Sequence, residues 1–250
     1  MKIATLAISA ALVVVFAAAT ARAAVVDDFS SDTSSLYVSS QGVAVYSRNG
    51  NEFQPTGGAS NERTAFLRND LMFDVGDTIG IDLTSVPRDN VTPTTGAKAG
   101  IALSQSPAAG IYHDWYLQDS SGAFAAQGDF WNGQTWESPI APAAGAYQTP
   151  TTAQPANITL TRTSQSDVDY TFTYYTDLGT ETISGTNTGL LLNGPYFFGP
   201  MKGQWIGSAY DATVALDNLT FGLPIPEPST TALLVTGLMG LLCSAWRKRK

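Results

Sequence analysis

Tyr112, Trp115, Tyr116, Trp131 and Trp136 fall within one 25-residue stretch, and the last two bracket Asn132-Gly133-Gln134-Thr135. Flat aromatic rings pack against the C–H faces of sugars, while neighbouring amides and carboxylates take the hydroxyls. Trp115, Tyr116, Trp131, Asn132 and Trp136 are therefore a candidate carbohydrate platform. Aromatic side chains are equally the filling of a β-sandwich core, each burying roughly 150–250 Å². At the level of sequence both readings stand.

Glycoside hydrolysis asks for two carboxyl groups about 5–10 Å apart across the scissile bond. Asp114 and Asp119 are five positions apart, so a regular strand points them to opposite faces. Asp167 and Asp169 sit at a turn. His113, the single histidine, could pair with Asp114 or a serine, but no Gly-x-Ser-x-Gly elbow accompanies it. A buried strand histidine is the plainer reading. One histidine and one cysteine, Cys243 in the C-terminal apolar run, also argue against a zinc or copper centre.

The segments that must position these residues read as strands. Candidates are Val25–Ser30, Leu36–Ser40, Val43–Ser47, Thr64–Arg68, a run through Ile79, Ile81 and Leu83, Ala99–Leu103, Ile111–Gln118 and Ala123–Trp131. The clearest alternation follows. Ile158, Leu160 and Arg162 share one parity, as do Val168, Tyr170, Phe172 and Tyr174, with a polar turn at 164–167 between them. Tyr196–Ile206 and Thr213–Phe221 complete the set. Asn49–Asn61 and the proline-rich Ser138–Pro155 read as loops. No stretch has a helical apolar period. The pattern predicts an all-β antiparallel sandwich of jelly-roll type.

Both ends of the chain are processing segments. Lys2, the apolar run Ile3–Ala19 and Ala21-Arg22-Ala23 have the order of a secretory signal peptide, residues 1–23, cut before Ala24 by signal peptidase. At the other end, 224–250, Pro226-Glu227-Pro228 precedes an uncharged run over 229–246 and the tail Arg247-Lys248-Arg249-Lys250. As a helix that run would be roughly 27 Å long, close to the ~30 Å hydrocarbon core. The four cations would keep its far end cytoplasmic. A plain tail anchor would have the same outline. Residues 24–223 are left as the sandwich domain. Loss of Lys2, Arg22 and the four terminal cations leaves 7 basic against 21 acidic residues, net −14. Such a surface repels nucleic acid and anionic lipid, so the membrane is met only through the C-terminal helix before processing.

The C-terminal layout resembles the PEP-CTERM sorting signal of Gram-negative bacteria in all three parts: motif, apolar span and basic tail. The resemblance implies an exosortase that processes the chain near Pro226, Glu227 and Pro228. The product would pass from an inner-membrane-anchored precursor to the cell surface or extracellular matrix.

The body resembles concanavalin A-like lectin and glucanase sandwiches in Asp27-Asp28-Phe29, Phe73-Asp74-Val75-Gly76-Asp77, the 157–175 hairpin and Ala215-Leu216-Asp217-Asn218-Leu219-Thr220-Phe221. In such sandwiches the first and last strands are neighbours and a structural Ca2+ often ties them. The resemblance thus implies a calcium site at Asp27, Asp28, Asp217 and Asn218, whose oxygens are hard donors. A shift of apolar parity between Leu216 and Leu219 implies a bulge at Asp217-Asn218. The glucanase branch uses Glu-x-Asp-x-x-Glu, which this chain lacks. The expected function is therefore a non-catalytic exported surface or matrix protein that binds exopolysaccharide. A glycan-active hydrolase and a purely adhesive matrix protein are the alternatives.

Overall fold

The computed structural model describes residues 23–57, 62–86, 97–106, 113–120, 123–131, 136–137, 148–204 and 213–222. The expected signal peptide and the 229–246 helix lie outside them. Among the described residues no helix is long and apolar enough to cross a membrane. Residues Ala23–Phe221 form one compact unit.

The strands, in chain order, are β1 (Ala24–Asp27), β2 (Tyr37–Ser40), β3 (Arg48–Asn49), β4 (Glu52–Phe53), β5 (Arg63–Arg68), β6 (Thr78–Ser85), β7 (Ala97–Ser104), β8 (His113–Ser120) and β9 (Ala123–Trp131). They continue with β10 (Trp136–Glu137), β11 (Ala156–Arg162), β12 (Val168–Thr176), β13 (Gly179–Asn187), β14 (Phe197–Gln204) and β15 (Ala215–Gly222). One sheet runs β13-β12-β11-β6-β15-β4-β3, with β1 also on β15. The other runs β10-β9-β8-β7-β14-β5-β2. The fold is an antiparallel β-sandwich, as the strand pattern predicts.

Alternation builds the core. Ile79, Ile81 and Leu83 of β6, Ile158 and Leu160 of β11, and Phe172 and Tyr174 of β12 face inward from the first sheet. Ala99, Ile101 and Leu103 of β7, Trp115 and Leu117 of β8, and Phe198 of β14 meet them from the second. Each large side chain so buried contributes about 1.5–3 kcal/mol. At Gly100 a β-carbon would overlap the Trp115 carbonyl, so the β7–β8 approach requires glycine.

The first and last strands are neighbours: Ala24 pairs with Phe221 and Val25 with Thr220, and the register slips between Val25 and Asp27. Asn218 adopts a left-handed φ of 46°. That turn of the backbone lets both Leu216 and Leu219 reach the core, which accounts for the parity shift.

Two local readings change. Val43–Ser47 contributes only a bridge from Val45 to Thr56. The stretch expected as loop forms a β3–β4 hairpin around Gly50, whose φ is +64°. β13, with Ile183 as its sole large apolar residue, forms where alternation gives almost no signal.

Candidate functional site

Consecutive residues of β8 point to opposite faces, and this separates the aromatic cluster. Trp115 is fully buried between the sheets, and its Nε1 donates to Asn187 Oδ1 at 2.9 Å. It is core, and it offers no face to a sugar. Tyr116 lies on the outer face of the seven-stranded sheet, packed with Ala65, Leu67, Ala102 and Met201. It is also buried, under the Lys98 ammonium, which stands 4.3 Å from the ring centroid and donates to the Tyr116 hydroxyl at 3.0 Å. Trp131 and Trp136 do come together: β9 and β10 pair them directly in register at the end of the seven-stranded sheet. Asn132 lies outside the described residues. Trp115 and Tyr116 are thus buried apart from the pair that Trp131 and Trp136 form.

An ion pair unforeseen from the sequence occupies the same outer face. Arg63 Nη1 donates to Asp114 Oδ2 at 2.6 Å, and Asp114 is fully buried. The guanidinium engages this carboxylate in a charge-assisted hydrogen bond. Only the sheet register brings Arg63 of β5 to Asp114 of β8, 51 positions away.

His113 points into the core beside Trp115 and Tyr196, with neither ring nitrogen hydrogen-bonded. Burial pulls its pKa down to about 4. The Leu191 carbonyl favours the protonated ring but makes no hydrogen bond of good geometry to it. The ring is neutral and core-filling, as the plainer reading has it.

The four residues expected for calcium are each engaged in hydrogen bonds within the fold. Asp27 accepts from Phe29 N at 2.8 Å, Thr33 Oγ1 at 2.7 Å and Tyr37 Oη at 2.8 Å, with Arg68 Nη1 at 3.9 Å. Its oxygens are filled by the fold itself. Asp28 accepts from Ser30 N at 3.0 Å. Asn218 Nδ2 donates to Asp82 Oδ2 at 3.0 Å, and its backbone N–H to Asp217 Oδ1 at 2.8 Å. Burial raises the Asp217 pKa, and the charges of Asp82, Glu52 and Asp28 add to the shift. Among the described residues no group of three or more acidic, histidine or cysteine side chains is arranged to hold a metal ion. Calcium at Asp27, Asp28, Asp217 and Asn218 stays a proposal, drawn from the lectin resemblance.

Comparison with known proteins bears on the two parts separately. Residues 224–250, which include Pro226, Glu227 and Pro228, match the PEP-CTERM protein-sorting motif. No curated protein matches the chain. The sandwich is similar to the Ca2+-bound exoplasmic/lumenal domain of VIP36, with a TM-score of 0.51 and 10% identity over 80% of this chain and 89% of that one. It is also similar to the lectin UEA-II complexed with galactose, with a TM-score of 0.50 and 12% identity over 78% and 96%. A Ca2+/Man2-bound form of VIP36 aligns with a TM-score of 0.51 and 10% identity over 81% and 88%. The chain therefore joins a lectin-like β-sandwich to a PEP-CTERM sorting motif.

Proposed function

We propose that this is an exported, non-catalytic surface protein that binds polysaccharide and is sorted by an exosortase through residues 224–250. The observation that carries the binding reading is the β9–β10 register, which sets Trp131 opposite Trp136 at one end of a lectin-like sheet. Two large aromatics at one cross-strand position suit the faces of successive sugar units. Asn132, Gly133, Gln134 and Thr135 between them bring amide and hydroxyl chemistry for the sugar hydroxyls. The non-catalytic reading is supported by the missing acidic motif.

The sorting reading rests on the matched motif. The precursor is held in the inner membrane of a Gram-negative cell by its apolar run, cut near Pro226-Glu227-Pro228, and released to the surface. A glycan array probed with the exported protein, alongside reducing-sugar release, tests the function. Binding without turnover, reduced at least tenfold in Trp131→Ala and Trp136→Ala, is the expected result. Turnover would make it a hydrolase. Neither binding nor turnover would leave an adhesive matrix role.

A further inference from the structure

Three Asn-Gly pairs stand in the sequence: Asn49-Gly50, Asn132-Gly133 and Asn193-Gly194. Such a pair can close a ring that other asparagines resist, because glycine puts no β-carbon beside the attacking nitrogen. The Asn132 pair lies outside the described residues. The other two differ in what holds them.

Asn193 is exposed, but its backbone is pinned on both sides. The fully buried Arg162 guanidinium donates to the Leu192 and Gly194 carbonyls, each at 2.7 Å. Rotation of the Asn193–Gly194 peptide would break a charge-assisted bond. Asn49 is held far less. Its strand, β3, has two residues and makes two pairs, Arg48 with Phe53 and Asn49 with Glu52, at the end of the eight-stranded sheet. Gly50 opens the two-residue turn at φ +64°, with nothing within 4 Å of the point where a β-carbon would stand. Among the described residues no hydrogen bond reaches the Asn49 amide or the Gly50 N–H. Arg48 Nη2 donates to the Gly50 carbonyl at 2.9 Å, and this nearby cation favours loss of the Gly50 amide proton.

We propose that Asn49 is a site of spontaneous succinimide formation, with the Gly50 nitrogen as nucleophile, and that Arg162 protects Asn193 from the same reaction. The deprotonated Gly50 nitrogen bonds to Asn49 Cγ, the Cγ–Nδ2 bond breaks, and ammonia leaves carrying the proton. Water then adds across one of the two ring C–N bonds. Opening at Cγ gives aspartate with the main chain restored. Opening at the α-carbonyl gives isoaspartate, whose main chain runs through Cβ and Cγ. Both products strain the hairpin. A carboxylate at position 49 faces Glu52 directly, and the extra main-chain atom of isoaspartate breaks the Arg48–Phe53 register. Glu52 also accepts from Thr152 Oγ1 at 3.0 Å, so the change reaches the segment beside β4. The site is an age-dependent charge mark at one end of the sandwich.

The test incubates the folded full chain in mildly alkaline buffer and follows each asparagine by mass spectrometry. Peptic peptides are cut at acid pH, where the reaction stops, and isoaspartate in them is counted with protein isoaspartate methyltransferase. Asn49 is expected to convert at least tenfold faster than Asn193. In urea, which releases the Arg162 bonds, the two rates should converge. The Asn49→Gln variant should lose the conversion in its own hairpin peptide, which also contains Asn51. No conversion at Asn49, equal rates in the folded protein, a ratio unchanged in urea, or conversion persisting in the Asn49→Gln peptide would overturn the inference.

Discussion

Trp115 and Asn187 tie the two sheets together: the indole N–H of β8 reaches the amide oxygen at the end of β13 at 2.9 Å, both side chains being buried. Trp115→Phe keeps most of the ring volume but leaves Asn187 Oδ1 without its donor. An unsatisfied buried acceptor costs about 1–3 kcal/mol. The variant should lose about 2 kcal/mol in urea unfolding and keep its glycan profile unchanged. A selective loss of binding at full stability would return Trp115 to the binding surface.

Arg162 is a second internal tie. Its guanidinium donates to the carbonyls of Leu192 and Gly194 at 2.7 Å and of Phe73 and Ser164 at 3.2 Å. Arg162→Met fills similar volume and supplies no donors. The expected loss is on the order of 3–5 kcal/mol. For a domain of this size that lowers the melting midpoint by roughly 6–20 °C. A calorimetric shift of only a degree or two would mean that water replaces the guanidinium.

His113 should make stability fall on the acid side of neutrality. Its pKa is about 4 in the fold, below the unfolded value of 6.5, so the unfolded chain binds the extra proton. The stability is whole above pH 6.5 and is lost progressively towards pH 4, by about 3 kcal/mol in all. Asp217 and Asp77, whose pKa values are raised chiefly by burial, act in the opposite direction in this range. The difference between wild type and His113→Phe isolates the histidine. Unfolding curves at pH 7 and pH 4.5 that fall in parallel for the two proteins would contradict the assignment.

Asp27 and Asp217 should respond oppositely to loss of charge. Asp27→Ala strands the Tyr37 hydroxyl and the Phe29 N–H and removes the carboxylate beside Arg68. The cost should be about 3 kcal/mol. Asp217→Asn removes a carboxylate crowded by Asp82, Glu52 and Asp28, and should stabilise at pH 7 with the gain fading as pH falls towards 4. Equal destabilisation by both changes, in the presence of calcium alone, would establish a shared metal site.

Alternation makes the sandwich legible wherever one face of a strand is apolar, as from Ile158 to Tyr174. β13 escapes because an edge strand of threonine, serine and glycine has no apolar face to announce it. Side-chain roles are read less well. Trp115 and Tyr116 are adjacent on a strand and cannot share a platform, a limit contained in the period of two itself. Asp27 and Asp217 look alike as carboxylates. What separates them is Tyr37, Thr33 and Arg68, whose arrival beside Asp27 depends on sheet pairing. Arg63 and Asp114 meet for the same reason, across 51 residues, without a local sequence sign.

The pairing of Ala24 with Phe221 also sets how the domain bears load. Force applied between its two ends would act across the β1–β15 ladder and open it one rung at a time, starting from the Ala24–Phe221 rung. Such peeling yields far more easily than shearing all rungs together. A domain tethered only through the end of β15 avoids that geometry, because tension then enters through the strand seated between β6 and β4 and leaves β1 slack.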